Sequence, residues 1–426
     1  MSSADWTMNC PLHWYGSGDS LVFLGLIGLT LMEYGLSRKG FGNHLMFKNW
    51  VQFSVGIVAW WLIGYAFSFG NAGNHSNFIG EKYFGGEDWL LDRISNHGAC
   101  ASYFALIGFF VIFIINGAIM ERAHYWVYPF LAWWVMVWIW PVVVAWGWGW
   151  GWLMGEVGDE NNLIDYGGAI TIYIFAGTFA LVGAIIIGKR VGRFDQEHVQ
   201  SGFEMTHYPI YVIGALLTIL GVWSINIAQT ETANAFGIAE VNTWICGGAS
   251  SIVALKLLTL GHRDLRIHYI SVFQGFIAGQ VLISSSAFDT TPWQSGICGL
   301  MAGIAFFLGV KCCEMFKIDD PMNITGTFFF PGLIGGFLPG FITDSYGVFW
   351  EGTEGHTLST QVVGVCVIFG WSAFWAIITF GILKFLKKHR LSDEIQKASL
   401  ENCDIAQEGF VLGGGQRIEA EMVKAS

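Results

Sequence analysis

Charge is what this chain has least of. Only 12% of its 426 residues are Asp, Glu, Lys or Arg, where an average soluble domain carries about 25%. With 54% hydrophobic residues, a water-soluble core cannot hide the rest, so lipid must be the solvent for much of the surface. Residues 1–19 hold neither Lys nor Arg and no apolar run, so this end does not read as a signal peptide. The eight Cys include no C-x-x-C pair. Cys246, Cys298, Cys312, Cys313 and Cys366 lie inside apolar runs, where Cys acts as a small buried hydrophobe. Cys10 and Cys100 fall where both can face outside, which leaves a disulfide between them open. No metal-ligand cluster, nucleophile constellation or phosphate loop occurs; this argues against an enzyme and calls for no cofactor. Histidine is missing from the middle of every apolar stretch: the eleven, at 13, 44, 75, 97, 124, 198, 207, 262, 268, 356 and 389, fall in loops, tails or span ends. That disfavours haem held between helices by two His and removes the usual proton relay of a membrane pore. A net charge of −11 gives no sign of a nucleic-acid partner.

Gly (56 residues) and Trp (21) are plentiful; Gly lets membrane helices approach closely, and Trp suits the lipid–water interface. Apolar stretches of spanning length occur near 20–37, 50–69, 99–120, 125–147, 168–188, 209–228, 236–258, 270–285, 295–313, 325–343 and 358–386. Pro141, Pro331 and Pro339 lie within them and predict kinks or breaks. Basic residues test the count. With eleven spans and the N-terminus outside, only Lys82 and Arg93 fall outside, and the loops near 149–167, 229–235, 286–294 and 344–357 contain no Lys or Arg. The positive-inside rule therefore supports eleven spans with the C-terminus in the cytoplasm. The expected organisation is all-α: an extracytoplasmic segment over 1–19, a membrane domain over 20–386 and a cytoplasmic tail over 387–426, opening on Lys387-Lys388-His389-Arg390. Asn74-His75-Ser76 is a glycosylation sequon in an outer loop, a tripeptide common by chance. Lys256, near the inner end of its span, can snorkel.

A repeat is visible. Segment 5 opens Asp165-Tyr-Gly-Gly-Ala-Ile-Thr-Ile-Tyr173-Ile-Phe-Ala-Gly177, and segment 10 opens Asp320-Pro-Met-Asn-Ile-Thr-Gly-Thr-Phe328-Phe-Phe-Pro-Gly332. Each sets an aromatic eight residues and a Gly twelve residues after an Asp. On helices that cross the membrane in opposite senses, this is the trace of an inverted five-plus-five repeat with a long eleventh helix. Such repeats put the substrate path on their pseudo-symmetry axis, so Tyr173 and Phe328 are candidates for opposite sides of one pore.

Several motifs resemble those of the ammonium transporter (Amt/Rh) family over roughly 20–410. They are Glu33-Tyr-Gly35-Leu-Ser-Arg38, Lys48-Asn49-Trp50 and Trp61-Leu-Ile-Gly64-Tyr65 for the first two helices, and Gly117-Ala-Ile-Met-Glu121-Arg122 for the third. Pro141 to Leu153, with Trp146, Trp148, Gly151 and Trp152, is similar to the family's P-x-x-x-H-W-x-W-G-x-G-W-L, with Ala145 where His is usual. Asp165-Tyr166, Gly188-Lys-Arg190-Val-Gly192-Arg193, Asp319-Asp320 and the tail's Leu400-Glu-Asn-Cys-Asp404 follow in the family's order.

The resemblance implies ammonium or ammonia as substrate, a homotrimer with one pore per subunit, a bilayer setting (the plasma membrane) and a cytoplasmic partner at the tail. It also exposes departures. The two pore histidines of the family fall on Tyr173 and Phe328, its gating phenylalanines on Ile107 and Ile225, and its vestibule hydroxyl on Gln229. Trp148 keeps a cation–π face and Asp165 the acid near the ion site. Trp148 can equally anchor the interface, Asp165 and Asp320 can equally cap helices, and Glu121-Arg122 reads as a loop ion pair. Two functions follow: an ammonium/ammonia transporter or channel with an altered pore, or a non-conducting structural or sensory subunit on the same fold.

Overall fold

The computed structural model describes residues 12–38, 41–70, 78–87, 97–154, 162–194, 203, 205–228, 230, 232–260, 264–343, 347–349, 356–394 and 396. Among these, every regular element is helical, and the one extended pairing is an isolated bridge between Ala123 and Arg390. Eleven long segments follow in chain order: α1 (Leu12–Leu36), α2 (His44–Phe69), α3 (His97–Ile119), α4 (Val127–Gly147), α5 (Ala169–Ile187), α6 (Tyr208–Ala228), α7 (Ala233–Thr259), α8 (Leu265–Ile283), α9 (Pro292–Met315), α10 (Thr325–Ile342) and α11 (His356–Phe385). Ten of them are long and apolar enough to cross a membrane. The other, α8, has the length, 19 residues, but carries Gln274 and Gln280, both fully buried against protein rather than lipid. The expected spans thus stand, with three starts moved upstream: α1 begins at Leu12 rather than near 20, α2 at His44 rather than near 50, and α8 at Leu265 rather than near 270.

The two halves face each other head to tail. Along α1 and α6, Gly25 meets Gly221, Gly28 meets Gly214 and Thr218, and Gly35 meets Tyr211, so the helices run antiparallel. A Cβ on Gly25 would lie 2.8 Å from the Gly221 Cα, an approach only Gly permits. The same relation recurs between α5 and α10, where Gly177 packs on Phe329 and Gly332 packs on Tyr173. Each Gly sits twelve residues after its Asp, and each meets the aromatic region of the opposite helix. The inverted repeat read from spacing is therefore a packing relation across the subunit centre.

The helices are not uniform. Trp60–Gly64 in α2, Val135–Ile139 in α4, Ala169–Ile174 at the start of α5 and Thr325–Phe329 at the start of α10 are π-turns. Pro141 and Pro331 each follow a π-turn at the second position of the next α-helical stretch, and Pro339 opens a separate short turn. Proline has no N–H and crowds the carbonyl four residues back, so a widened turn just before it relieves both problems.

One end of the bundle carries a buried ion-pair network. Arg38, after α1, donates from Nε to Glu121 Oε2 at 2.5 Å, and Arg190, after α5, donates to Glu121 at 2.9 Å and to Asp319 at 2.8 Å. Glu121 and Arg122 are not each other's partners, which corrects the loop-pair reading: Arg122 instead caps carbonyls of Ala118, Gly188 and Asp319. Burial alone would raise the Glu121 carboxyl, but Arg38 and Arg190 outweigh it and hold Glu121 below the ordinary range. The network gathers the ends of α1, α3 and α5 and the entry of α10 at one face, the alternation that eleven crossings require.

Candidate functional site

At the opposite face, the loop before α5 brings Asp165 and Trp148 together. The Asp165 carboxylate accepts from the N–H of Ile170 (3.1 Å), the N–H of Thr171 (2.8 Å) and the Thr171 hydroxyl (2.9 Å). These are the orphan donors of a helix start, so its first duty is capping. Asp320 does the same for α10, accepting from Ile324 (2.9 Å) and Thr325 (2.8 Å). Burial pushes the Asp165 carboxyl up to about 6, against the pull of those donors. Trp148 donates its indole N–H to the Asp165 backbone carbonyl at 2.8 Å, and its ring lies 5.6 Å from that of Phe104. Trp148 is thus half-buried against protein beside Asp165, at the same face.

Eight residues after each of these aspartates lies one of the two aromatics. The Tyr173 and Phe328 rings stack, with centroids 5.8 Å apart and planes inclined by 21°. They are 0% and 1% exposed. Both sit on the π-turns that the two aspartates cap. The Tyr173 hydroxyl is buried without a hydrogen-bond partner. Ile107 on α3 and Ile225 on α6 are fully buried as well. Gln229, Cys10 and Asn74 lie outside the described residues.

Three features escaped sequence reasoning. Phe104, the ring against Trp148, stands in an apolar run that marks nothing about it. Gln361 on α11 holds the loop before α5 to α10: its Oε1 accepts from Ile164 N–H at 3.0 Å, and its Nε2 donates to the carbonyls of Ile164 (2.8 Å) and Gly336 (3.0 Å). A lone Gln near the start of an apolar span was the available signal. A polar knot also ties α1 to α2 and α3. Lys48 Nζ lies 2.8 Å from Glu33 Oε1 and 4.4 Å from the Tyr128 ring centroid, and Asn116 donates to Asn49 (3.1 Å) and Gln52 (2.6 Å).

A family model described as Ammonium Transporter Family matches residues 14–410. The chain belongs to the ammonium transporter family. This is a family of transporters, not of enzymes. Among its relatives, Ammonium transporter 1 member 1 of Arabidopsis thaliana is 28% identical over 404 residues, covering 84% of this chain and 77% of the relative. Ammonium transporter Amt2 of Archaeoglobus fulgidus is 25% identical, covering 92% and 86%. A solved structure described as Sensor Amt Protein superposes with a TM-score of 0.82 at 25% identity, over 92% of this chain and 97% of that one. Mep2 of Candida albicans shares the fold with a TM-score of 0.78 at 21% identity, over 92% and 89%.

Proposed function

We propose that this ammonium transporter family member recognises ammonium at its outer mouth and does not conduct it by histidine chemistry. It acts as a sensory or structural subunit on the transporter fold. The reading rests on the Tyr173–Phe328 stack, two buried rings where a conducting relay needs groups that exchange protons. A Tyr hydroxyl, with an ordinary pKa near 10, is a poor proton acceptor at neutral pH, and Phe328 offers no polar atom. Ile107 and Ile225, both fully buried, hold the positions where the family's gating phenylalanines fall, and Trp148, tied to the Asp165 carbonyl, supplies a ring face for a cation. One solved neighbour is described as a sensor Amt protein, and the reading extends that role to this chain. Family membership supports the other reading, a transporter or channel for ammonium or ammonia with an altered pore.

In the same reading the N-terminus is outside, the tail from 387 is cytoplasmic and meets a partner there, the assembly is a homotrimer and the membrane is the plasma membrane. The test separates binding from flux. Purified protein should bind ammonium or methylammonium at equilibrium with a Trp148-dependent fluorescence change, while proteoliposomes show no uptake above empty vesicles. Uptake that Tyr173→Trp abolishes would instead establish the altered-pore transporter.

A further inference from the structure

The face that gathers the ends of α1, α3 and α5 clusters guanidinium groups around one aromatic ring. Phe203, between α5 and α6, is its centre. The guanidinium carbons of Arg38, Arg190 and Arg193 lie 5.2, 5.0 and 5.7 Å from its ring centroid, and Arg266 donates to its carbonyl. Among the described residues, Glu121 and Asp319 face these guanidiniums, Asp264 caps α8 beside Arg266, Glu314 acts on Arg193, and Arg122 shares Asp319. Arg190 is fully engaged by the two carboxylates.

The other three are not. Arg38 Nη1 and Nη2 and Arg266 Nε are buried with no hydrogen-bond partner. Arg193 Nε reaches only Asp319 Oδ1, at 3.6 Å, an oxygen that Arg190 already holds at 3.0 Å. A third of the Arg193 side chain, 32%, remains exposed. The Phe203 ring face attracts a guanidinium but accepts none of its in-plane N–H groups. A purely structural network closes its donors, because a buried unmade hydrogen bond is costly.

We propose that Arg38, Arg193 and Arg266 form an anion site around Phe203 that takes a phosphoryl group, from free phosphate or from a lipid headgroup. Three features of the ligand match. Its oxygens accept forked N–H pairs from planar guanidiniums. A phosphate monoester carries about −1.5 to −2 charges near pH 7, a strong acceptor for guanidinium donors left unpaired. It also needs a route in, and Arg193 provides the exposed rim. Burial, and then the neighbouring Arg190, push the Arg193 guanidinium below its ordinary value and outweigh the opposing pull of Asp319 and Glu314.

The experiment uses the full-length protein. Thermal unfolding in detergent is followed against inorganic phosphate, with chloride at matched ionic strength as control. A second arm compares phosphatidylcholine nanodiscs with and without phosphatidic acid. We expect saturable stabilisation in at least one arm, with the apparent affinity weakened about tenfold or more, roughly one lost charged contact, in Arg266→Gln and Arg193→Gln. Arg193 sits at the rim, so Arg193→Gln should keep the fold if Arg266→Gln does not. Stabilisation in the first arm identifies free phosphate, and stabilisation in the second alone identifies a lipid headgroup. No saturable effect in either arm, or an effect that Arg193→Gln leaves unchanged, overturns the proposal.

Discussion

The Tyr173 and Phe328 rings stack face to face across the subunit centre, 5.8 Å between centroids, each on a π-turn capped by an aspartate eight residues upstream. Two inverted halves thus deliver one aromatic each to the same depth. Truncating either opens a cavity in a packed interior. Phe328→Ala should lower stability by about 3–5 kcal/mol, read as a fall in the thermal midpoint of the purified protein. It should also let water reach the centre, read as faster exchange at the backbone amides of α5 and α10. Unchanged stability would mean that the rings do not pack as described.

The stack is held from behind by glycine. A Cβ on Gly332 would lie 2.9 Å from the Tyr173 Cβ, closer than real Cβ atoms approach. Gly332→Ala should displace Tyr173 at a cost of about 1–3 kcal/mol. Gly177→Ala, whose Cβ would lie 2.6 Å from the Phe329 Cβ, should cost a similar amount. Similar losses at both sites, measured by thermal unfolding, would support the repeat; a loss at one only would count against it.

Asp165 and Asp320 cap their helices, so replacing either removes an acceptor for several N–H groups. Asp165→Ala and Asp320→Ala should each destabilise by about 1–2 kcal/mol. Asp165→Ala should also weaken any ammonium-dependent Trp148 signal, because Trp148 is positioned by the Asp165 carbonyl. If the signal survives with unchanged amplitude and midpoint, Asp165 serves the fold alone.

The ion-pair face predicts an acid limb. Burial by itself would raise the Asp319 carboxyl, but Arg190 and Arg122 reverse this and hold it well below the ordinary carboxylate range. A depressed folded-state pKa contributes stability that is complete above the unfolded value, 3.8, and is lost as the pH falls below it. Stability should therefore drop on acidification below about pH 4. Asp319→Asn should lose stability near neutral pH and flatten that limb. A steep limb persisting in Asp319→Asn would assign it to another carboxylate.

Much of the fold was legible in the sequence because lipid imposes long apolar stretches and the loop charges alternate. The network of Arg38, Glu121, Arg190 and Asp319 was not, because its partners lie far apart in sequence and meet only after folding. Adjacency suggested pairing Glu121 with Arg122, whereas Arg38 and Arg190 reach Glu121 first. The π-turns were equally hidden: Pro141 and Pro331 marked trouble in their helices, but nothing distinguishes Ala169–Ile174 as a wide turn. Before α5, residue type left Asp165 and Trp148 with two roles each. Hydrogen bonds establish Asp165 as a cap and put Trp148 against Asp165 and Phe104. In the centre, the matched spacing of Tyr173 and Phe328 was enough, because an inverted repeat converts equal offsets into equal depths.

The central claim is that this stack replaces a proton-exchanging pore. Ammonium-induced current across solid-supported membranes bearing the purified protein tests it most directly, with the unmodified chain beside Tyr173→His/Phe328→His. We expect no current above protein-free membranes from the unmodified chain, and a current from the double variant that saturates with ammonium. A robust saturating current from the unmodified chain, lost when Tyr173→Trp plugs the same path, would contradict the account.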